Sequence, residues 1–229
     1  MLTGGSEFVV DAAVLVSMLT AVGAGPEWAE DLCLGSVLHS PHHVLPECAK
    51  AIRRLERSGS ISGRQAEGAH RDLLALDQAA RAFFARPAAE KAEVAMTRGG
   101  RAWRGWFPEG GELTAGRPDH KEGPYFGAEL GPDDPRVRAG VPLHGPNQFP
   151  EEPAELGPLV LAWIDAMTRL GHALVRGAAI GLGLAPGWFD EPLTADPTVL
   201  FRIFRYPPLP DSDDGWGVAE HTDYGLLTI

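Results

Sequence analysis

The residues best suited to chemistry stand near the end of the 229-residue chain, where His221, Thr222 and Asp223 follow one another. In an extended strand, side chains two residues apart point to the same face. His221 and Asp223 are therefore expected side by side, where an imidazole nitrogen and a carboxylate oxygen can hold one divalent metal ion. With a second histidine they would form the 2-His-1-carboxylate set of non-haem Fe(II) sites. We take His221 and Asp223 as candidate metal ligands.

The spacing alone has low specificity, because residues 70–72 (His-Arg-Asp) repeat it within a helical pattern. Two other patterns suggest binding sites but lack the rest of their motifs. The histidines of residues 38–43, with Cys48, match no structural zinc spacing, so a loop is the better interpretation. The glycines of residues 181–183 follow a helix instead of joining a strand to one, which excludes a nucleotide-binding loop.

The periodicity of apolar residues predicts the elements that position these side chains. Helical spacing over residues 66–85 and 158–182 predicts two amphipathic helices. After Pro197 the period changes to two, which predicts a strand that Pro207 and Pro208 end. A second strand is expected to approach His221 and a third to begin near Tyr224. Helices followed by strands indicate an α+β fold.

Residues 98–157, between the two helices, are rich in glycine and proline and predict long, irregular chain. Aromatic residues within such a stretch indicate that it packs against the rest of the protein. They are Trp103, Trp106, Phe107, Tyr125 and Phe126.

Composition excludes several classes of partner. A net charge of -11 argues against binding to nucleic acid or to an anionic membrane surface. No apolar run is long enough for a membrane-spanning helix. Cys33 and Cys48 cannot form a disulfide framework, which favours a cytoplasmic location.

Four segments are distinctive when taken together: residues 104–107 (RGWF), 119–123 (DHKEG), 202–208 (RIFRYPP) and 220–229 (EHTDYGLLTI). Together they resemble the isopenicillin N synthase-like Fe(II)/2-oxoglutarate oxygenases. Residues 202–208 (RIFRYPP) resemble the family's strand ending in Tyr-Pro-Pro, and residues 220–229 (EHTDYGLLTI) resemble its His-Thr-Asp segment. Residues 104–107 and 119–123 are similar to its Arg-Gly-aromatic and Asp-x-Lys-Glu segments. The likeness covers roughly residues 64–229.

This resemblance implies an α+β fold: a helical N-terminal portion, then the first strands of a double-stranded β-helix (jelly roll), incomplete in this chain. Residues 1–55 would form a divergent N-terminal segment. Residues 56–190 would form the helical N-terminal region of the oxygenase, with its long aromatic-bearing loop. Residues 198–229 would begin the jelly-roll core, which is truncated here.

The resemblance also implies a reaction, the oxidation of a small organic molecule by dioxygen with Fe(II) as cofactor and 2-oxoglutarate as co-substrate. His221 and Asp223 would be iron ligands. Tyr206 matches a position that often hydrogen-bonds the distal carboxylate of the co-substrate. A few relatives dispense with 2-oxoglutarate, so its use stays open, as do the substrate and the oligomeric state.

In this family the second histidine ligand and a 2-oxoglutarate-binding arginine lie several strands downstream, whereas only six residues follow Asp223. We therefore expect a fragment of a longer enzyme that is inactive by itself. The alternative is a non-catalytic relative or gene-fragment product, with a binding function or none. If the chain ends at Ile229, its last strand would need a partner strand to complete the sheet.

Other charged residues have simpler interpretations. Lys121 and Glu122 are expected to form a surface salt bridge with each other. Arg202 and Arg205 are expected as solvated charges on a strand, although they could flank a pocket. Residues 103–107 could wall a substrate pocket or pack the long loop against the core, and these alternatives stay open. His144 and His172 have no partner that the sequence identifies, so a structural role is expected for both.

Overall fold

The computed structural model describes residues 7–9, 37–39, 56–57, 62–208, 215–222 and 225–227. In chain order its helices and strands are β1 (Glu7–Val9), β2 (Val37–His39), α1 (Gly63–Ala85), α2 (Ala88–Lys91), β3 (Gly105–Phe107), β4 (Leu113–Thr114), β5 (Arg117–Pro118), β6 (Gly123–Phe126), α3 (Pro135–Arg138), α4 (Leu156–Gly181) and β7 (Phe201–Arg202). The expected mixture of helices and strands is confirmed.

Helices α1 and α4 confirm the two helices predicted from periodicity. Leu76, Ala79 and Phe83 recur at intervals of three and four residues in α1, and this face packs into the core. Helix α4 ends at Gly181, and Gly183 takes a positive φ of 73° just beyond it. Such a left-handed glycine is a common way to close a helix C-terminus. None of the helices in the described part of the chain is long and apolar enough to cross a membrane.

The chain divides into two compact units, one of residues 1–75 and 169–196 and the other of residues 76–168 and 197–229. Within the first unit, Arg176 forms a salt bridge of 2.8 Å with Asp190. His172 Nε2 lies 2.7 Å from the carbonyl oxygen of Thr194, which gives this histidine the structural role expected of it. Tyr206 and His221 belong to the second unit.

The second unit contains a three-stranded antiparallel sheet in the order β3-β6-β7. Strands β4 and β5 form a separate hairpin. The prediction of irregular chain over residues 98–157 was therefore wrong in part. These strands have only two to four residues, and β3 and β6 are buried throughout. Fully buried strands lack the alternation of polar and apolar residues that identifies a strand in a sequence.

The core of this unit joins helices α1 and α4 to the sheet. Phe126, fully buried in β6, stacks on Phe149 with ring centroids 5.3 Å apart. The expected packing of the aromatic residues is confirmed for all but Trp103, which is 53% exposed. The buried residues of this core are Ala79, Phe83, Val94, Trp106, Phe126, Leu156, Val160 and Ile164.

The strand predicted after Pro197 is confirmed but short, whereas the two that should follow it are not found in the described residues. Residues 215–222 contain no strand. Gly215 and Gly217 disfavour an extended ladder there, and the carbonyl of Trp216 makes a single bond to the backbone N–H of His120. Residues 225–227 form no strand either, and the rest of the third predicted strand lies outside the described residues.

Candidate functional site

Tyr206, the predicted co-substrate ligand, lies four residues beyond the end of β7 and is 51% exposed. Its ring meets that of Phe204 edge-on, with centroids 6.1 Å apart. The guanidinium of Arg202 lies 5.4 Å from the same Phe204 ring. Residues 202, 204 and 206 therefore share one side of the strand, while Phe201 and Ile203 pack against the core.

Two cations and two carboxylates lie around the hydroxyl of Tyr206. Burial raises the pKa of the Tyr206 hydroxyl above its ordinary value, and nearby Asp119 and Glu112 add to this, while Lys121 and Arg202 act in the opposite direction. The phenol is therefore protonated at neutral pH and can donate a hydrogen bond. Lys121 is already paired with Glu112 and Asp119, so a carboxylate that accepted this bond would meet Arg202 beside it. These residues fit the carboxylate of a 2-oxoglutarate molecule.

His221, the first predicted metal ligand, is exposed, and its Nδ1 lies 2.9 Å from the carbonyl oxygen of Ala219. A carbonyl can only accept, so Nδ1 donates, and in the neutral ring the lone pair belongs to Nε2. Metal-binding histidines commonly have this arrangement, in which one nitrogen is oriented by a hydrogen bond. Asp223, the second predicted ligand, lies outside the described residues. Among the described residues, no group of three or more His, Cys, Asp or Glu could hold a metal ion.

The segment that leads to His221 is packed beside Tyr206. The backbone N–H of His120 donates to the carbonyl of Trp216 at 2.9 Å. The guanidinium of Arg117, in β5, stacks on the Trp216 ring at 4.4 Å. A Cβ added to Gly217 would come within 2.5 Å of the Tyr206 ring, so the backbone approaches that ring closely. The structure thus brings Tyr206 together with the residues that precede His221.

The prediction for Lys121 and Glu122 was wrong, because both side chains are buried and they do not pair with each other. Lys121 forms salt bridges with Glu112 at 3.1 Å and Asp119 at 3.0 Å. Glu122 instead forms one with Lys91 at 2.6 Å. The reason is that successive side chains in extended chain point to opposite faces, so neighbours cannot easily meet.

Glu122 accepts hydrogen bonds from three parts of the second unit. Its Oε2 accepts from Lys91 Nζ at 2.6 Å and from Trp106 Nε1 at 2.9 Å. Its Oε1 accepts from Arg205 Nη1 at 2.7 Å. Burial by itself would raise the pKa of Glu122, but the hydrogen bonds from Lys91, Arg205 and Trp106 outweigh it and hold the pKa below its ordinary value. Glu122 is therefore a charged anchor within the core.

Tyr125 is a residue of the site region whose role the sequence did not predict. Its hydroxyl donates a hydrogen bond to Glu112. Burial and this carboxylate raise the pKa of Tyr125 strongly, so the phenol stays neutral. Its ring lies 5.7 Å from that of Phe107 and 6.2 Å from that of Phe204. The signal in the sequence was its position three residues after Glu122, close to the Asp-x-Lys-Glu segment.

The predictions for the two strand arginines and for residues 103–107 have different outcomes. Arg205 is not simply solvated, because it forms a salt bridge with buried Glu122. Arg202 stays exposed but stacks on aromatic rings.

Among residues 103–107, Arg104 is 1% exposed, and its Nη2 donates to the Leu143 carbonyl at 2.8 Å. Packing of the loop is therefore the better interpretation of these residues. His144 Nδ1 lies 2.8 Å from the Pro142 carbonyl, in a structural role.

A shallow groove of about 500 Å³ also lies in the second unit, but its lining includes neither Tyr206 nor His221. Its walls include the salt bridge of Asp77 with Arg81 on α1 and the residues at positions 203–205. This ion pair joins residues one turn apart on α1, and the lining of the groove contains no histidine, so the groove does not suit the predicted iron chemistry.

Comparisons with known proteins bear on the family of this chain. The family described as "non-haem dioxygenase in morphine synthesis N-terminal" matches residues 67–152. A protein of Dictyostelium discoideum described as a "probable iron/ascorbate oxidoreductase" is 42% identical over 176 residues, covering 67% of this chain and 48% of the relative. A homoarginine-6-hydroxylase of Arabidopsis thaliana is 34% identical over 155 residues, covering 65% of this chain and 46% of the relative. The chain thus spans about half the length of these curated relatives.

The fold is also similar to that of a solved structure. A full-length protein of Neurospora crassa, in complex with alpha-KG (2-oxoglutarate) and thymine, aligns with a TM-score of 0.55 at 19% identity. The alignment covers 98% of this chain and 64% of the Neurospora protein. This likeness in fold agrees with the sequence matches, which show that the chain belongs to the family of non-haem Fe(II)/2-oxoglutarate-dependent oxygenases.

Proposed function

We propose that this protein is an Fe(II)/2-oxoglutarate-dependent oxidoreductase that oxidises a small organic molecule. His221 and Asp223 would hold the iron, and Tyr206 would bind the distal carboxylate of 2-oxoglutarate. The observation that carries the proposal is the packing of the segment before His221 against the Tyr206 ring, with the Arg202 guanidinium on the same side of the strand.

Each residue has a part that follows from its surroundings. Bound Fe(II) and 2-oxoglutarate would supply the activation of dioxygen. The hydrogen bond from His221 Nδ1 to Ala219 would present Nε2 to the metal. The protonated Tyr206 would donate to the co-substrate carboxylate. The rings of Phe107 and Phe204, 6.0 Å apart, would help to keep water from this side of the pocket.

The wider fold and the substrate class have indirect support. Residues 198–229 would begin the jelly-roll core, in agreement with the likeness to the Neurospora structure. The relatives include a homoarginine hydroxylase, and the Neurospora protein was solved with thymine. Since homoarginine and thymine are both small molecules but chemically unlike, they support a small organic substrate and no narrower class.

The proposal is tested in the full-length protein with the variants His221→Ala and Asp223→Ala. His144→Ala is the matched control, because this histidine also bonds a backbone carbonyl but lies elsewhere. The measurements are Fe(II) bound after anaerobic loading and 2-oxoglutarate-dependent formation of succinate. We expect the first two variants to lose roughly tenfold or more in metal affinity and to lose turnover, because each removes one ligand. The control should keep both.

The result that would contradict the proposal is unchanged iron binding in both ligand variants, or a protein that binds no iron before substitution. Either outcome would favour the non-catalytic alternative. Succinate formation without any loss in His221→Ala would likewise exclude His221 as a ligand.

A further inference from the structure

We propose that Arg205, held by buried Glu122, is a positioning residue that fixes the Tyr206 phenol and thereby sets the affinity for the anionic co-substrate. The inference rests on the proposed function of Tyr206 and adds a residue that does not itself touch the ligand. Three contacts join the pair: Glu122 N–H donates to the Arg205 carbonyl at 3.0 Å, Arg205 N–H donates to the Glu122 carbonyl at 2.9 Å, and the side chains form the 2.7 Å salt bridge.

The backbone ladder ends at this pair. In antiparallel strands the pairs that exchange two hydrogen bonds recur at every second residue. The next such pair after Glu122 and Arg205 would join His120 to Pro207. Pro207 has no N–H to donate, and the N–H of His120 bonds Trp216 instead. Tyr206 therefore lies one residue beyond the last pair that exchanges two hydrogen bonds. Arg205 is the neighbouring residue whose backbone the ladder holds in place.

The carboxylate of Glu122, which binds the Arg205 side chain, is itself held firmly in place. Glu122 is 4% exposed, and its second carboxylate oxygen is held by Lys91 and Trp106. Arg205 is the partner that directly precedes Tyr206 in the chain, and its side chain is 49% exposed. Lys91 lies in α2, and its side chain is 6% exposed. The carboxylate of Glu122 thus joins one exposed partner next to Tyr206 and one buried partner.

This asymmetry separates a positioning role from a stabilising one. Removing the exposed salt bridge to Arg205 should disturb Tyr206 with little loss of stability. Removing the buried salt bridge to Lys91 should lower the stability and leave Tyr206 in place. The test compares Arg205→Met with Lys91→Met in the full-length protein. Arg205→Lys is the conservative variant, and Tyr206→Phe removes the hydroxyl itself.

Binding of 2-oxoglutarate to the protein loaded with Mn(II) is measured by calorimetry, and the melting temperature is measured in parallel. We expect Tyr206→Phe to weaken binding roughly tenfold, the loss of one hydrogen bond to a charged group. Arg205→Met should weaken it roughly threefold to tenfold, but should add little in the Tyr206→Phe background, because coupled residues are not additive. Arg205→Lys should restore most of the affinity. Lys91→Met should lower the melting temperature and leave the affinity unchanged.

The outcomes separate this inference from the proposed function. If Tyr206→Phe weakens binding and Arg205→Met does not, the positioning role is wrong while the role of Tyr206 stands. Equal weakening by Arg205→Met with and without the Tyr206 hydroxyl would also overturn the positioning role. If Tyr206→Phe leaves binding unchanged, the assignment of Tyr206 fails, and the inference about Arg205 fails with it.

Discussion

The three-stranded sheet and the segment of residues 215–227 belong to the same unit but differ sharply in burial. Every residue of β3 and β6 is buried. In the described part of the later segment, His221 is exposed and Leu226 is 71% exposed. The difference separates two tasks: the sheet holds the strand that leads to Tyr206, while His221 lies in more accessible chain. Substitutions should therefore affect stability in one region and binding in the other.

The largest expected effect is at the centre of the sheet. Phe126→Ala should lower the free energy of unfolding by about 4–5 kcal/mol, because it opens a cavity beside Phe149 and Phe201. Leu226→Ala is the matched control and should change it by less than about 0.5 kcal/mol, because this side chain is exposed. Urea unfolding of both variants measures the difference. Similar losses in the two variants would contradict the division of tasks.

The second effect concerns the buried carboxylate of Glu122. Glu122→Gln should cost about 3–4 kcal/mol of unfolding free energy, because it leaves the buried Lys91 ammonium without its counter-charge. Glu90→Gln removes an exposed salt bridge to Arg86 and should cost less than about 1 kcal/mol. Urea unfolding again gives the comparison. A small loss for Glu122→Gln would mean that the ion pair contributes little to the sheet.

The third prediction concerns the start of β3, where the backbone of Gly105 lies close to that of Val94. Gly105 has a φ of 114°, and an added Cβ would lie 2.4 Å from the Val94 carbonyl oxygen. Gly105→Ala should therefore cost about 2–3 kcal/mol through backbone strain. Gly100 has a φ of 54° but open space around its Cα, so Gly100→Ala should cost only about 1 kcal/mol. Thermal unfolding of both variants measures the cost, and equal costs would show that the contact with Val94 relaxes freely.

The smallest effect is a pH dependence. The pKa of Glu122 lies below its ordinary value of 4.5, so its contribution to stability is complete above that value and is lost as pH falls through the lowered pKa. The stability difference between the wild type and Glu122→Gln should thus shrink as the pH falls below 4.5 and through the lowered pKa. Urea unfolding at a series of pH values measures this difference. A difference independent of pH would show that the charge of Glu122 is not what stabilises the sheet.

Much of the helical scaffold could be predicted from the sequence. The spacing of Leu76, Ala79 and Phe83 identifies α1 because a helix repeats its faces every three or four residues. The short strands could not be predicted in this way. Strand β6 has buried residues on both faces and only four positions, so neither alternation nor length distinguishes it from a loop.

The candidate site was predicted as residue types but not as an arrangement. The motif in the sequence identifies Tyr206 and His221, and the structure places the segment before His221 against the Tyr206 ring. The burial of Lys121 and Glu122 was not predictable from local sequence, because their partners Glu112 and Lys91 lie 9 and 31 residues away. Long-range pairing of charges leaves no periodic signal.

The opposite orientations of Lys121 and Glu122 also limit where the gene can gain or lose codons. Adding or removing one residue just before Lys121 would exchange the two faces, as any one-residue slip of an extended chain does. An insertion would place a lysine where Glu122 meets Lys91 and Arg205, and a deletion would place a glutamate where Lys121 meets Glu112, so like charges would meet in buried surroundings. The hairpin turn at Gly116 has no neighbour within 4 Å of an added Cβ. We expect insertions and deletions of one residue to be tolerated at that turn, but to destabilise the protein a few residues later, just before Lys121.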